Sequence, residues 1–199
     1  MSSSSPLTMK CKCGTFEATF DAPPRVIFNC QCHSCVAVVQ SIESREGFDG
    51  TSMKCDDESG GAAVAIYKSN NTTVVKSEKD SVGFMKVGEN GKNARPYCTK
   101  CGTIFFMKYV PNWCAVNRNA LTNSEGGGFT PNGEVMNVMC KFAFDTAKVK
   151  GPKHKFLPSK VLLKFIPILA GFGVDGSNKE ESLIPEDMSK VEVSPITWE

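Results

Sequence analysis

The sequence contains no run of about 18 apolar residues, so a membrane-spanning helix is not expected. The opening MSSSSPLT lacks the apolar stretch of a secretory leader, which points to the cytoplasm. Neither sign of charge is in excess: 23 Lys and Arg face 21 Asp and Glu, a net +2, and a nucleic acid or an anionic membrane is not expected as partner. Histidine is nearly absent, with His33 and His154 alone, and no solenoid-type repeat is present. The chain does not lack length. Its 199 residues are enough for a real core, so no metal is needed merely to compensate for small size.

Cysteine is abundant by contrast, with ten residues. In a reducing compartment thiols stay free or bind metal, whereas in a secreted chain an even count suggests disulfides. Spacing decides between these. Seven of the ten fall into three short groups: Cys11 and Cys13, then Cys30, Cys32 and Cys35, then Cys98 and Cys101 followed by Gly102. Cysteines one or two residues apart are poorly placed to bridge each other, but their sulfurs converge readily on one ion.

The intervening segments read as short strands. TFEATF (15–20) alternates with period 2, and with PRVIFN (24–29) it is expected to form a hairpin carrying a cysteine group at each end. VAVVQSI (36–42), AAVAIY (62–67), TTVV (72–75) and VGFMKV (82–87) are further β candidates, the first of them alternatively a short helix. Asn90-Gly91 predicts a tight reversal before RPYCTKCGTIFFMKY, and EVMNVMCKFAF (134–144) is the last convincing strand. VLLKFIPILAGFGV (161–174), broken by Lys164 and Pro167, reads as a strap on the domain, and the acidic end 178–199 as loosely held. The expected architecture is mainly β: a small zinc-binding, sandwich-like domain of antiparallel strands over 9–150. A disordered tail over 1–8 precedes it and a C-terminal extension over 151–199 follows.

Ligand arithmetic assigns the cysteines. Four thiolates close a structural zinc site, whereas three leave a position for a ligand from outside, the pattern of a catalytic zinc. Cys11, Cys13, Cys98 and Cys101 make a closed set, and Cys30, Cys32 and Cys35 are left with a vacant position. A second structural ion at the triplet would need a fourth protein ligand, from Cys55, Cys114, Cys140 or His33. His33 is a candidate catalytic residue as a proton carrier, since imidazole titrates near neutral pH. His154, in the basic GPKHK stretch, reads as solvated.

K-C-K-C-G at 10–14, C-x-C-x-x-C at 30–35, Y-x-S at 67–69, Y-C-x-x-C-G-T at 97–103 and the phrase VPNWCAVNRNALTN (110–123) stand in this order. Together they resemble the glutathione-dependent formaldehyde-activating enzyme family, which also includes centromere protein V. The similarity covers roughly residues 9–145. It implies a mostly β fold with two zincs, one structural at the first and last cysteine pairs and one catalytic at the central three. It also implies a carbon–sulfur lyase acting on S-hydroxymethylglutathione. Where that family commonly has C-H-C-S-x-C and then a basic pair and Gly, this chain has Gln31, His33 and the apolar Val36-Ala37-Val38. Lys68, Arg95, Lys100 and Arg118 are then the candidates to meet glutathione carboxylates. The expected partner is a small thiol or thiol–aldehyde adduct. The alternative is a non-catalytic, zinc-stabilised protein-binding module.

Overall fold

The computed structural model of the protein describes residues 6–55, 58–78, 80–110, 112–169 and 183–196. Among these, twelve strands form three sheets and two α-helices accompany them, so the architecture is mainly β. A four-stranded sheet is built on β1 (Leu7–Lys10) and β2 (Phe16–Phe20), which pair antiparallel; β10 (Leu121–Thr122) and β5 (Thr72–Ser77) flank them. β2 buries Phe16, Ala18 and Phe20 on one face, as its period-2 pattern requires. β1 starts at Leu7, inside the segment assigned to the tail, because Leu7 is paired with Phe20 and buried. Residues 1–5 of that tail lie outside the described residues.

The second sheet runs β11 (Met136–Val138), β3 (Val26–Cys30), β4 (Ala62–Lys68), β9 (Trp113–Asn117) and β8 (Phe106–Val110). β4 lies in its middle and is buried on both faces, which explains its unbroken apolar run. Its alternate residues feed two cores. Ala65 and Tyr67 face the four-stranded sheet, where Phe20 lies 4.4 Å from Tyr67 and Phe16 stacks on Phe105 at 3.9 Å. Val64 and Ile66 join the other core, with helices α1 (His33–Glu43) and α2 (Ser159–Leu169). The third sheet also contributes to it, in the order β12 (Glu192–Val193), β6 (Val82–Lys86) and β7 (Arg95–Cys98).

Several expectations are corrected. β2 and β3 are not a hairpin: β2 pairs with β1 and β5, and β3 with β4 and β11. Pro23 and Pro24 between them favour an extended crossing from one sheet to the other over a tight return. VAVVQSI is helical, taken up in α1. With Val36 to Val39 and Ile42 all buried, that helix has too little polar surface to reveal a 3.6-residue period. The strands are not all antiparallel, since β11 runs parallel to β3 and β12 parallel to β6. The 134–144 strand shrinks to β11, because Met139 turns into the left-handed region at φ 61 and a 3-10 turn follows at Cys140–Phe142.

The C-terminal segment 183–196 is not loose. Leu183 and Val191 are buried, and Ser194 meets Ser41 across a 2.6 Å hydroxyl contact. Glu192 accepts from the Tyr97 hydroxyl at 3.0 Å and pairs with Arg45. The remainder of the acidic end, 178–182 and 197–199, lies outside the described residues. α2 is the expected strap: Val161 and Phe165 are buried, while Leu162, Leu163 and Ile166 are exposed. Residues 170–174 of that phrase also lie outside. No helix among the described residues is long and apolar enough to cross a membrane.

Candidate metal centres

The β1–β2 connection and the turn after β7 are built alike. In each, a glycine amide donates to the carbonyl of the first cysteine, Gly14 to Cys11 at 2.9 Å and Gly102 to Cys98 at 2.8 Å. Both glycines sit at positive φ, +73 and +76, where an L-residue is strained. A threonine follows each glycine. Thr15 Oγ1 lies 3.2 Å from Cys13 Sγ and 3.5 Å from the sulfurs of Cys11 and Cys98; Thr103 Oγ1 lies 3.2 Å from Cys101 Sγ. The repeated Cys-Gly-Thr was visible in the sequence, yet the hydroxyls that orient these sulfurs were not read from it. The Thr103 hydroxyl also accepts from the Thr51 amide at 3.0 Å, tying the knuckle to the 50s loop.

The two knuckles bring Cys11, Cys13, Cys98 and Cys101 together, with all four sulfurs within 4.8 Å of one another. A tetrahedral zinc with Zn–S near 2.3 Å places its sulfurs about 3.8 Å apart. Cys11–Cys13 at 3.6 Å and Cys13–Cys98 at 3.5 Å fit that geometry. Burial pushes the Cys98 thiol up to about 12. For Cys13 burial acts the same way, but hydrogen bonds from Thr15, Cys98 and Cys11 outweigh it and hold the thiol at about 6. Four thiolates at this spacing need a cation to be ionised together.

The triplet stands where β3 ends and α1 begins. Cys32 is the N-cap of α1, and its carbonyl accepts from the amides of Cys35 at 3.0 Å and Val36 at 3.1 Å. This places the three sulfurs at the positive end of the helix, which favours thiolate. They too lie within 4.8 Å of one another, with Cys30 donating to Cys32 at 3.4 Å. Hydrogen bonds from Cys30 and Cys35 pull the Cys32 thiol down to about 2. Cys30 is pushed well above its usual range, first by donating to Cys32. Cys35 rises to about 12, its bond with Cys30 being outweighed by that with Cys32 and by burial. The donor set fits a soft divalent ion such as zinc, and the seven cysteines make two groups that could each hold one.

The surroundings of the two groups differ. Among the described residues no fourth Cys, His, Asp or Glu shares the triplet's sphere. Cys114 is buried in the opposite core with its sulfur 3.4 Å from Thr72 Oγ1, and Cys140 starts the 3-10 turn after β11. The His33 ring lies 5.4 Å from Phe144 and 6.3 Å from Phe142, and His33 is not among the residues lining the cleft described next.

The triplet opens into a cleft of about 430 Å³ walled by Phe28, Val64, Ile66, Trp113, Leu162 and Phe165, with Ser34, Asn93, Arg95 and Lys108 as its polar groups. A bulge in β8 turns both Met107 and Lys108 to this side. Of the four cations picked from the sequence, Arg95 alone lines this cleft. Lys100 pairs with Glu78 at 2.9 Å, Arg118 donates to Asn29 at 3.1 Å, and Lys68 lines a separate hollow with Pro23 and Pro167. β7 therefore spans both centres, Arg95 at the cleft and Cys98 in the closed set, about 10 Å apart along the strand. All ten cysteines are free of disulfides. Compared with known proteins, the chain matches no family model and no curated protein.

Proposed function

We propose that the protein is a zinc-dependent enzyme of thiol adducts, a carbon–sulfur lyase handling a thiohemiacetal of the glutathione–formaldehyde type. One observation carries the reading. Three cysteines share a sphere at the end of an apolar cleft without a fourth side-chain ligand among the described residues, whereas the other four complete a set. Such a site has a place for an incoming sulfur. Bound there, zinc supplies acidification of a thiol, giving a thiolate at neutral pH.

The chain's own residues supply the setting. Cys30, Cys32 and Cys35 are soft ligands that suit a sulfur partner better than water. The positive end of the α1 dipole favours negative charge beside them. The walls of Phe28, Val64, Ile66 and Trp113 exclude water from the adduct. Cleavage breaks the carbon–sulfur bond with its electron pair passing to sulfur, while the hydroxyl proton leaves to water as the carbonyl forms. The exposed row Leu162, Leu163 and Ile166 on α2 favours a second reading, a binding module in which both ions are structural.

Cobalt substitution separates the two. A sulfur-to-cobalt band that shifts on adding thiol, and loses that response in Cys32→Ser, supports the open site. A spectrum indifferent to every thiol overturns the enzyme and leaves the binding module.

A further inference from the structure

The cleft's chemistry narrows what its thiol can be. We infer that it selects an apolar thiol adduct carrying a single anionic group, which Arg95 reads; this rests on the open site proposed above.

Arg95 is only 4% exposed. One of its terminal nitrogens donates to the Asn93 carbonyl at 3.0 Å, and its Nε is buried without a partner. A guanidinium that lines the cleft and is not fully satisfied within the chain suits a planar anion, and a charge-assisted bond there is stronger than a neutral one. No aspartate or glutamate lines the cleft among the described residues, so no carboxylate on its walls competes for that donor. The second cation, Lys108, is already placed over the Trp113 ring at 5.2 Å, where it meets the face of the aromatic system.

Most of the remaining wall is hydrocarbon or thioether. The thiohemiacetal class proposed above is kept but its thiol changes, because glutathione, a peptide thiol, fits poorly for two reasons. Its ammonium finds no carboxylate, and its two amides would lie against Phe28, Val64, Ile66 and Trp113, where unpaired polar groups are costly. An aryl or alkyl body with one carboxylate leaves neither problem: the body meets the walls, the sulfur reaches the triplet and the carboxylate reaches Arg95. Volume does not make this choice, since about 430 Å³ admits either. Arg95 is thus a positioning and specificity residue.

The test uses the full chain loaded with cobalt, with Trp198→Phe so that Trp113, on the cleft wall, is the sole tryptophan. Three probes are titrated: 4-mercaptophenylacetate, its neutral primary amide and glutathione. Both the cobalt band and Trp113 fluorescence are followed. The expected result is that the acid binds at least tenfold more tightly than the amide and than glutathione. Arg95→Met should abolish the acid-over-amide preference without weakening the amide, and Arg95→Lys should keep part of it.

Equal affinities for acid and amide in the unmutated cleft overturn the inference without any recourse to the variants, while the open site stands. The inference falls as well if Arg95→Met weakens both probes alike, for then Arg95 only offsets the charge of the cysteines. No response to any thiol overturns the open site itself.

Discussion

Cys98→Ser tests by number whether the chain holds two ions. An ion that binds only the folded chain raises the unfolding free energy by about 1.4 kcal/mol for each tenfold increase in free metal above its dissociation constant. The two cysteine groups predict two such contributions, unequal for a reason found in the chain. Cys13 and Cys98 are 85 residues apart, so gathering the closed set in the unfolded chain costs a large loop closure. The triplet spans only residues 30–35. The difference in closure is about 2.5 kcal/mol, so the unfolded chain retains some affinity at the triplet and little at the closed set. Cys98→Ser should therefore flatten the dependence of stability on log free zinc by about 1.4 kcal/mol per decade, and Cys32→Ser by less. For a chain of this length each kcal/mol is worth about 2–4 °C in melting temperature. Urea unfolding followed by circular dichroism in zinc buffers reads both slopes. An unchanged slope in Cys98→Ser, or a larger effect from Cys32→Ser, refutes the reasoning.

Two further predictions concern the surroundings of these sites. Gly102→Ala forces an L-residue to φ +76 and puts a new Cβ 2.5 Å from the Phe48 ring, so it should cost about 2–3 kcal/mol and lower bound zinc to one ion per chain. Gly14→Ala shares the strain at φ +73 but meets nothing within 4 Å, and should cost about half as much by the same urea assay. The third is a pH effect. Burial raises the Cys114 thiol from 9.0 to about 12, so the neutral thiol's contribution is complete below pH 9 and is lost as pH rises toward about 12. The zinc-loaded protein should lose up to about 1.4 kcal/mol per pH unit over that window from this group. Cys114→Ala should lose correspondingly less, measured as urea midpoints from about pH 8.5 to 11; parallel profiles for the two proteins count against the burial argument.

What could be read along the chain was whatever is local. Cysteines one or two residues apart converge on one point whatever the rest of the fold does, so the membership of each group followed from spacing, and the count of four against three followed from coordination chemistry. The alternation in β2 and the apolar run of β4 likewise follow from neighbouring residues alone.

Apart from the joining of the two cysteine pairs into a set of four, what depends on a second segment was decided by the tertiary structure. α1 hid its period because β4 and the third sheet's core bury it almost all round, and β2 and β3 parted because each pairs with strands distant along the chain, β2 with β5 and β3 with β4 and β11. The acidic end looked unanchored because Arg45 and Tyr97, which hold Glu192, stand about a hundred residues or more before it. The cleft is the clearest case. Trp113, Phe165 and Arg95 come from β9, α2 and β7, and no spacing rule unites them with Cys30, Cys32 and Cys35; long-range packing of apolar faces does.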